Sequence, residues 1–172
     1  MRRSREFKIG MAFLVLAVAL GIGSACMSDQ PGSTAMAGDG DVPLFEVDPM
    51  WPNPLPNHWV TGSTIGVGVD SRDHVWVIHR EGTLGPNETG GVGDPPRYEC
   101  CVPAPPVLEF DPDGNLVGSW GGPGEGYDWP MSNHGITVDH MDNVWIGGNG
   151  INDKHLLKFT RDGQFLLQAG EP

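Results

Sequence analysis

Three places in this 172-residue chain hold side chains whose types could do chemistry. His134, in the run NHGITVD, offers an imidazole, and the neutral ring is a common zinc ligand. A catalytic zinc takes three protein ligands and keeps a fourth position open. Arg80 closes the run HVWVIHR, where a guanidinium could grip a substrate carboxylate with two parallel hydrogen bonds. Each has an ordinary alternative: a hydrogen-bonded structural histidine, and an arginine paired with Glu81, Asp73 or another local acid. Cys100 and Cys101 are adjacent. An exported protein can oxidise such a pair, although the eight-membered ring that results is strained, so two free or transiently oxidised thiols are expected and the disulfide is the alternative.

Repeats decide where these groups sit. GVGVD (66–70) followed by HVWVIHR matches GITVD (135–139) followed by NVWIGG, 69 residues later. Val67 falls on Ile136, Asp70 on Asp139, Asp73 on Asp142 and Trp76 on Trp145. A second pair, VLEFDPDGNLVGSWG (107–121) and LLKFTRDGQFLLQAG (156–170), recurs at a spacing of 49. Each unit holds four short apolar runs rich in Val, Ile, Trp and Phe, bounded by Asp, Asn and Gly, which predicts four antiparallel strands. The pairs Asp113-Gly114 and Asp162-Gly163 predict tight hairpins with glycine at positive φ. Repeated four-stranded units of this length describe β-propeller blades. The expected blades are about 62–121 and about 133–170.

The two spacings differ by 20, which places an insertion at 81–106 in the first blade; Gly, Pro and charged residues make it a loop. His134 stands where the first repeat has Ile65, and it is expected just before the strand, near a central channel. Arg80 stands where the second repeat has Asn149. Trp76 and Trp145 are expected between blades. His74 and His140 belong to hairpin turns and are expected to be exposed. His79 points away from Arg80 and packs inside, and His155 has a weaker claim on function. Asp111–Asn115 starts like a calcium loop but lacks the downstream glutamate, so it reads as a turn.

Residues 1–26 have the form of an export signal: Arg2, Arg3, Arg5 and Lys8, then an apolar run from Met11 to Ile22. GSAC, ending at Cys26, resembles a bacterial lipoprotein cleavage box, in which the cysteine is lipidated; Gly23 departs from the leucine preferred three residues before it, and ordinary signal-peptidase cleavage is the alternative. Residues 27–41 read as a flexible linker. Removing residues 1–25 takes away those four positives and Glu6, leaving six positives against 21 negatives, net −15. Such a surface argues against nucleic-acid binding. The expected address is the periplasm or cell envelope.

The three stretches 66–80, 107–121 and 133–148 resemble NHL-type six-bladed propellers, and more narrowly the bacterial branch similar to peptidyl-α-hydroxyglycine α-amidating lyase. The resemblance covers most of Gly66 to Gly170. It implies that Arg80 lines an active site, that His134 binds a catalytic zinc, and that backbone carbonyls of Val67 and Ile136 hold a structural calcium. EGTLG follows His-Arg here where the lyase has GDHVW. The remaining zinc ligands and a catalytic tyrosine would lie in later blades, so the chain is expected to be the N-terminal portion of a longer protein. The strand LFEVD (44–48) would then help close the ring. A zinc-dependent C–N lyase acting on a small molecule or peptide is one expected function. The alternative is a non-catalytic propeller binding a peptide, glycan or protein at the cell envelope.

Overall fold

Alternating apolar residues give this chain its strands, and the computed structural model describes residues 45–172. The export signal, Cys26 and the linker 27–41 lie outside the described residues. Ten strands form: β1 (Trp59–Val60), β2 (Ser63–Val69), β3 (Val75–Arg80), β4 (Val102–Pro103), β5 (Val107–Phe110), β6 (Leu116–Trp120), β7 (Asn133–Val138), β8 (Val144–Gly148), β9 (Leu156–Phe159) and β10 (Phe165–Ala169). β1 and β4 form a separate two-stranded sheet, and the other eight make two four-stranded antiparallel sheets, β2-β3-β5-β6 and β7-β8-β9-β10. Their limits match the two expected repeats. Both lie in the compact unit Val47–Pro172.

Register explains how the sheets stack. Trp76 pairs with Glu109 and Ile78 with Val107, so these four share one face of the first sheet. Val144 pairs with Phe159 and Ile146 with Leu157, sharing one face of the second. The apolar members of the two faces form a single buried core, joined at its margin by Trp120, Tyr127 and Phe165. Phe159 meets Trp120 and Tyr127, with ring centroids 5.1 Å apart in each case. Aromatic contacts of this kind add to the gain from area burial. The edge strands β2 and β7 come so close that a Cβ on Gly66 would lie 2.7 Å from the His134 carbonyl oxygen. Only glycine fits there.

The other face of the first sheet carries Val77, Leu108 and Phe110. Trp51, Leu55 and Trp59 cover it together with Ala104 from the insertion. The indole Nε1 of Trp51 donates to the Pro112 carbonyl, as Trp120 Nε1 does to the Arg161 carbonyl. Trp51 and Trp120 are 69 residues apart, so the first repeat begins earlier than its most legible stretch. Both tryptophans lie against the glycine of a DG turn, Gly114 (φ 81°) or Gly163 (φ 80°). These are the positive-φ glycines the hairpins required.

Several expectations need correction. Residues 45–48 form no strand, and Phe45 and Val47 are exposed. The insertion is mostly loop, but Glu81–Thr83 makes one 3-10 turn and β4 pairs in parallel with β1. Cys100 and Cys101 are joined as a disulfide, in place of the free thiols expected. Trp145 is only half-buried, unlike the fully buried Trp76, because the face it occupies with Leu156 and Leu167 has solvent beside it. Asp111 closes its turn onto Asn115, as the turn reading required.

Candidate functional site

Arg80 ends β3 where the two sheets converge. Its Nε donates to the Asn133 carbonyl at 2.9 Å, and its Nη2 donates to Asn149 Oδ1 at 2.8 Å. Asn149 is the counterpart of Arg80 in the second repeat, so equivalent positions of the two sheets bond to each other. The expected alternative, an ion pair with Glu81 or Asp73, does not form among the described residues. Asn133 in turn donates from Nδ2 to the His79 carbonyl at 3.0 Å, and Ser132 Oγ donates to Asn149 at 2.7 Å. The guanidinium is therefore held at a fixed place by backbone and amide oxygens.

Arg80 lines a cavity of about 480 Å³ together with His79, Thr83, Trp129 and Asn133. His79 is fully buried, as expected. Its Nδ1 accepts from the Gly62 N–H at 3.2 Å, which leaves Nε2 to donate to the Pro105 carbonyl at 3.0 Å. Burial pushes its pKa down, and the ring is neutral.

His134 lies inside β7 rather than before it. The ladder passes from the Asn133–Gly148 pair to the Gly135–Gly147 pair, so His134 sits at a bulge. Ile65 occupies the matching irregularity between Thr64 and Gly66 in β2. His134 is exposed and directly follows the Asn133 whose carbonyl holds Arg80. Arg80 thus bonds the residue just before His134, while His134 itself is neither a partner of Arg80 nor part of the cavity lining. Val67 is exposed in β2 and Ile136 is buried in β7. No group of three or more His, Cys, Asp or Glu side chains gathers around His134, Val67 or Ile136 among the described residues.

One such group forms elsewhere, at the opposite end of β3. Asp70, His74 and Glu109 place their ligand atoms within 4.8 Å of one another, and this set could hold a metal ion. His74 is therefore not the exposed turn residue the sequence suggested: its Nδ1 lies 2.6 Å from Glu109 Oε1. His140, in the equivalent turn, is exposed as expected. Asp70 Oδ1 accepts from the backbone N–H groups of Arg72 and His74, closing the hairpin, and Oδ2 accepts from Trp76 Nε1 at 3.2 Å. Burial works against the Asp70 charge, but these hydrogen bonds outweigh it and hold the carboxyl below its usual range.

The donor set of two carboxylates and an imidazole suits a divalent cation. A cation already stands there. Arg161, from the β9–β10 turn of the other sheet, donates from Nη1 to Asp70 Oδ2 at 2.6 Å and from Nη2 to Glu109, over the ring of Trp76. A metal at these ligands would have to displace that guanidinium. Sequence reasoning missed this cluster. The available signal was a reversal of charge at matched positions, Glu109 against Lys158, inside otherwise similar repeats.

Set beside known protein families and curated proteins, the chain matches none. What fold and site define is an all-β protein of repeated four-stranded antiparallel sheets, with an arginine anchored between them at a cavity.

Proposed function

We propose that this chain forms part of an exported NHL-type β-propeller whose Arg80 cavity receives the carboxylate of a small molecule or peptide. One observation carries the reading. Two of the five guanidinium N–H donors of Arg80 are spent on Asn133 and Asn149, which fixes the group and leaves three for a ligand. A preorganised arginine loses little freedom when it takes a carboxylate. Further support for the architecture is the open face of the second sheet, where Trp145, Leu156 and Leu167 match a face that is covered in the first. The acidic composition and export signal suit a periplasmic or envelope address, with Cys26 as the candidate lipid anchor.

Titrating the full chain with benzoate, and with benzyl alcohol as neutral control, tests this. Benzoate should bind and the alcohol should not, and Arg80→Gln should weaken benzoate at least about tenfold. Arg80→Lys, which keeps the charge but not the fork, should fall between. Equal binding by all three proteins would end the proposal.

A second reading, the zinc-dependent C–N lyase, rests on His134 lying one residue beyond the carbonyl that holds Arg80. His134 would be one zinc ligand, and zinc would supply Lewis acidity toward a carbinolamide hydroxyl. Arg80 would orient the substrate by its carboxylate. Further histidines and a tyrosine would come from other blades, and calcium would sit at the carbonyls of Val67 and Ile136. Zinc binding to the full chain that His134→Ala leaves unchanged would remove this reading.

A further inference from the structure

The link between the sheets, residues 121–132, walls a second cavity of about 370 Å³ on the side toward β9. Tyr127, Asp128, Trp129, Asn152, Asp153 and His155 line it, and no lysine or arginine does. His155 is 4% exposed. A carbonyl can only accept, so the 2.6 Å contact with the Asp128 carbonyl puts a proton on His155 Nε2. In the neutral ring Nδ1 is then a lone-pair acceptor. It is the one buried side-chain polar atom without a hydrogen-bond partner among the described residues. Leaving a buried acceptor unmet costs free energy that a donor from outside would return.

The surroundings narrow the choice of donor. Asp153 spends Oδ1 on the Met131 N–H, and Oδ2 on the N–H groups of Ser132 and Gly150. Burial opposes the Asp153 charge, yet these backbone donors outweigh it and keep the carboxyl ionised. Asp128 Oδ2 accepts from Gln168. With both Asp153 oxygens and Asp128 Oδ2 engaged, the two residues supply negative potential beside the cavity. These residues do not gather ligand atoms as Asp70, His74 and Glu109 do. Two aromatic rings beside two carboxylates suit a cation that also carries apolar surface.

We propose that this cavity binds an organic ammonium ion. An N–H of the ligand donates to His155 Nδ1, its charge faces Asp128 and Asp153, and its apolar part lies against Tyr127 and Trp129. The site adjoins the Arg80 cavity, sharing Pro123, Trp129 and Met131 with it, and prefers the opposite charge.

The test is an NMR titration of the full chain, labelled with ¹⁵N in the histidine rings, using 2-phenylethylammonium chloride as probe. The His155 Nδ1 resonance should move saturably with the ammonium, and not with the neutral analogue 3-phenylpropanol or the anion phenylacetate. Asp128→Asn, a change at an exposed residue, should weaken the probe about tenfold, and His155→Gln should abolish its saturable binding measured by calorimetry. If 3-phenylpropanol moves His155 Nδ1 as strongly, or if the ammonium leaves it still, the proposal is overturned and Nδ1 holds only a buried water. Because the readout is His155, the outcome does not depend on whether Arg80 binds carboxylates.

Discussion

The two sheets use one device in two ways. In each, an aspartate opens the first hairpin, accepts two backbone N–H groups through Oδ1 and one tryptophan Nε1 through Oδ2. Asp70 does this with Trp76, and Asp139 with Trp145. Asp73 and Asp142, at φ 61° and 59°, complete the same turn. The difference lies in where the neutralising cation comes from. Asp139 is paired at 3.1 Å with Lys158 of its own sheet, which also lies over the Trp145 ring. Asp70 faces Glu109 at the position of Lys158; Arg72 of its own hairpin stands 3.8 Å away, and its close cation, Arg161, arrives from the other sheet. A local turn lock has become a tie between sheets in the first case. In the second it remains local, on a face no described element covers.

The largest break in this comparison should come from the tryptophans. Trp76 is fully buried at the centre of the inter-sheet core. Replacing it by alanine removes a large apolar side chain and leaves a cavity, with an expected loss of about 3–5 kcal/mol. Trp145 keeps the same indole bond but is half-buried, so Trp145→Ala should cost about 1–2 kcal/mol. Urea unfolding of the two variants checks this. Equal losses would mean that the second sheet's open face is covered in solution.

Next in size is the tie itself. Arg161→Ala leaves the buried carboxylates of Asp70 and Glu109, with side chains 0% and 6% exposed, only the distant Arg72 and the His74 ring as partners. Removing one partner of a buried ion pair typically costs about 3 kcal/mol or more. Lys158→Ala should lose only a fraction of that, since Trp145 and Asn143 still satisfy Asp139. The same pair of variants addresses the metal reading. If Asp70, His74 and Glu109 hold a divalent ion in place of the guanidinium, Arg161→Ala should be mild, and a chelator should lower the Tm of the parent protein. The expected result is a severe loss and no chelator effect.

Much of this frame was legible in the sequence, for a physical reason. Hairpin turns and strand alternation are set by neighbours a few residues apart, so the spacings of 69 and 49 carried them faithfully. Gly114 and Gly163 illustrate it. What crosses between sheets was not legible. Arg161 meets Asp70 across 91 positions, and nothing in TRDG announces that its arginine reaches another hairpin. His74 looked exposed because its own turn leaves it so, and its partners are distant in sequence: Glu109 on β5 and Arg161 from the other sheet. That Arg80 is anchored on Asn149 was not legible, because the two lie 69 residues apart. The Trp51 and Trp120 pair was visible at the known spacing, but Pro52-Asn53 against Gly121-Gly122 hides the match.

The smallest effect is a matter of pH. The hydrogen bond from Trp145 is the chief reason the Asp139 carboxyl lies far below its ordinary value of 3.8, with Asn143, Lys158 and Met141 adding to it. A depressed folded-state pKa contributes stability that is present above the unfolded value. That contribution drains away as pH falls through about 4 and below. Asp70 is lowered too, so both turns should weaken in acid, and in the same direction. Asp139→Asn, which cannot titrate, should therefore flatten the fall in stability below pH 4 while leaving the plateau near neutrality only slightly lower. Urea midpoints measured from pH 2 to pH 7 would show it. An unchanged acid limb would mean that Asp70, tied across the sheets through Arg161, governs acid unfolding alone, and that the open-faced turn has no share in it.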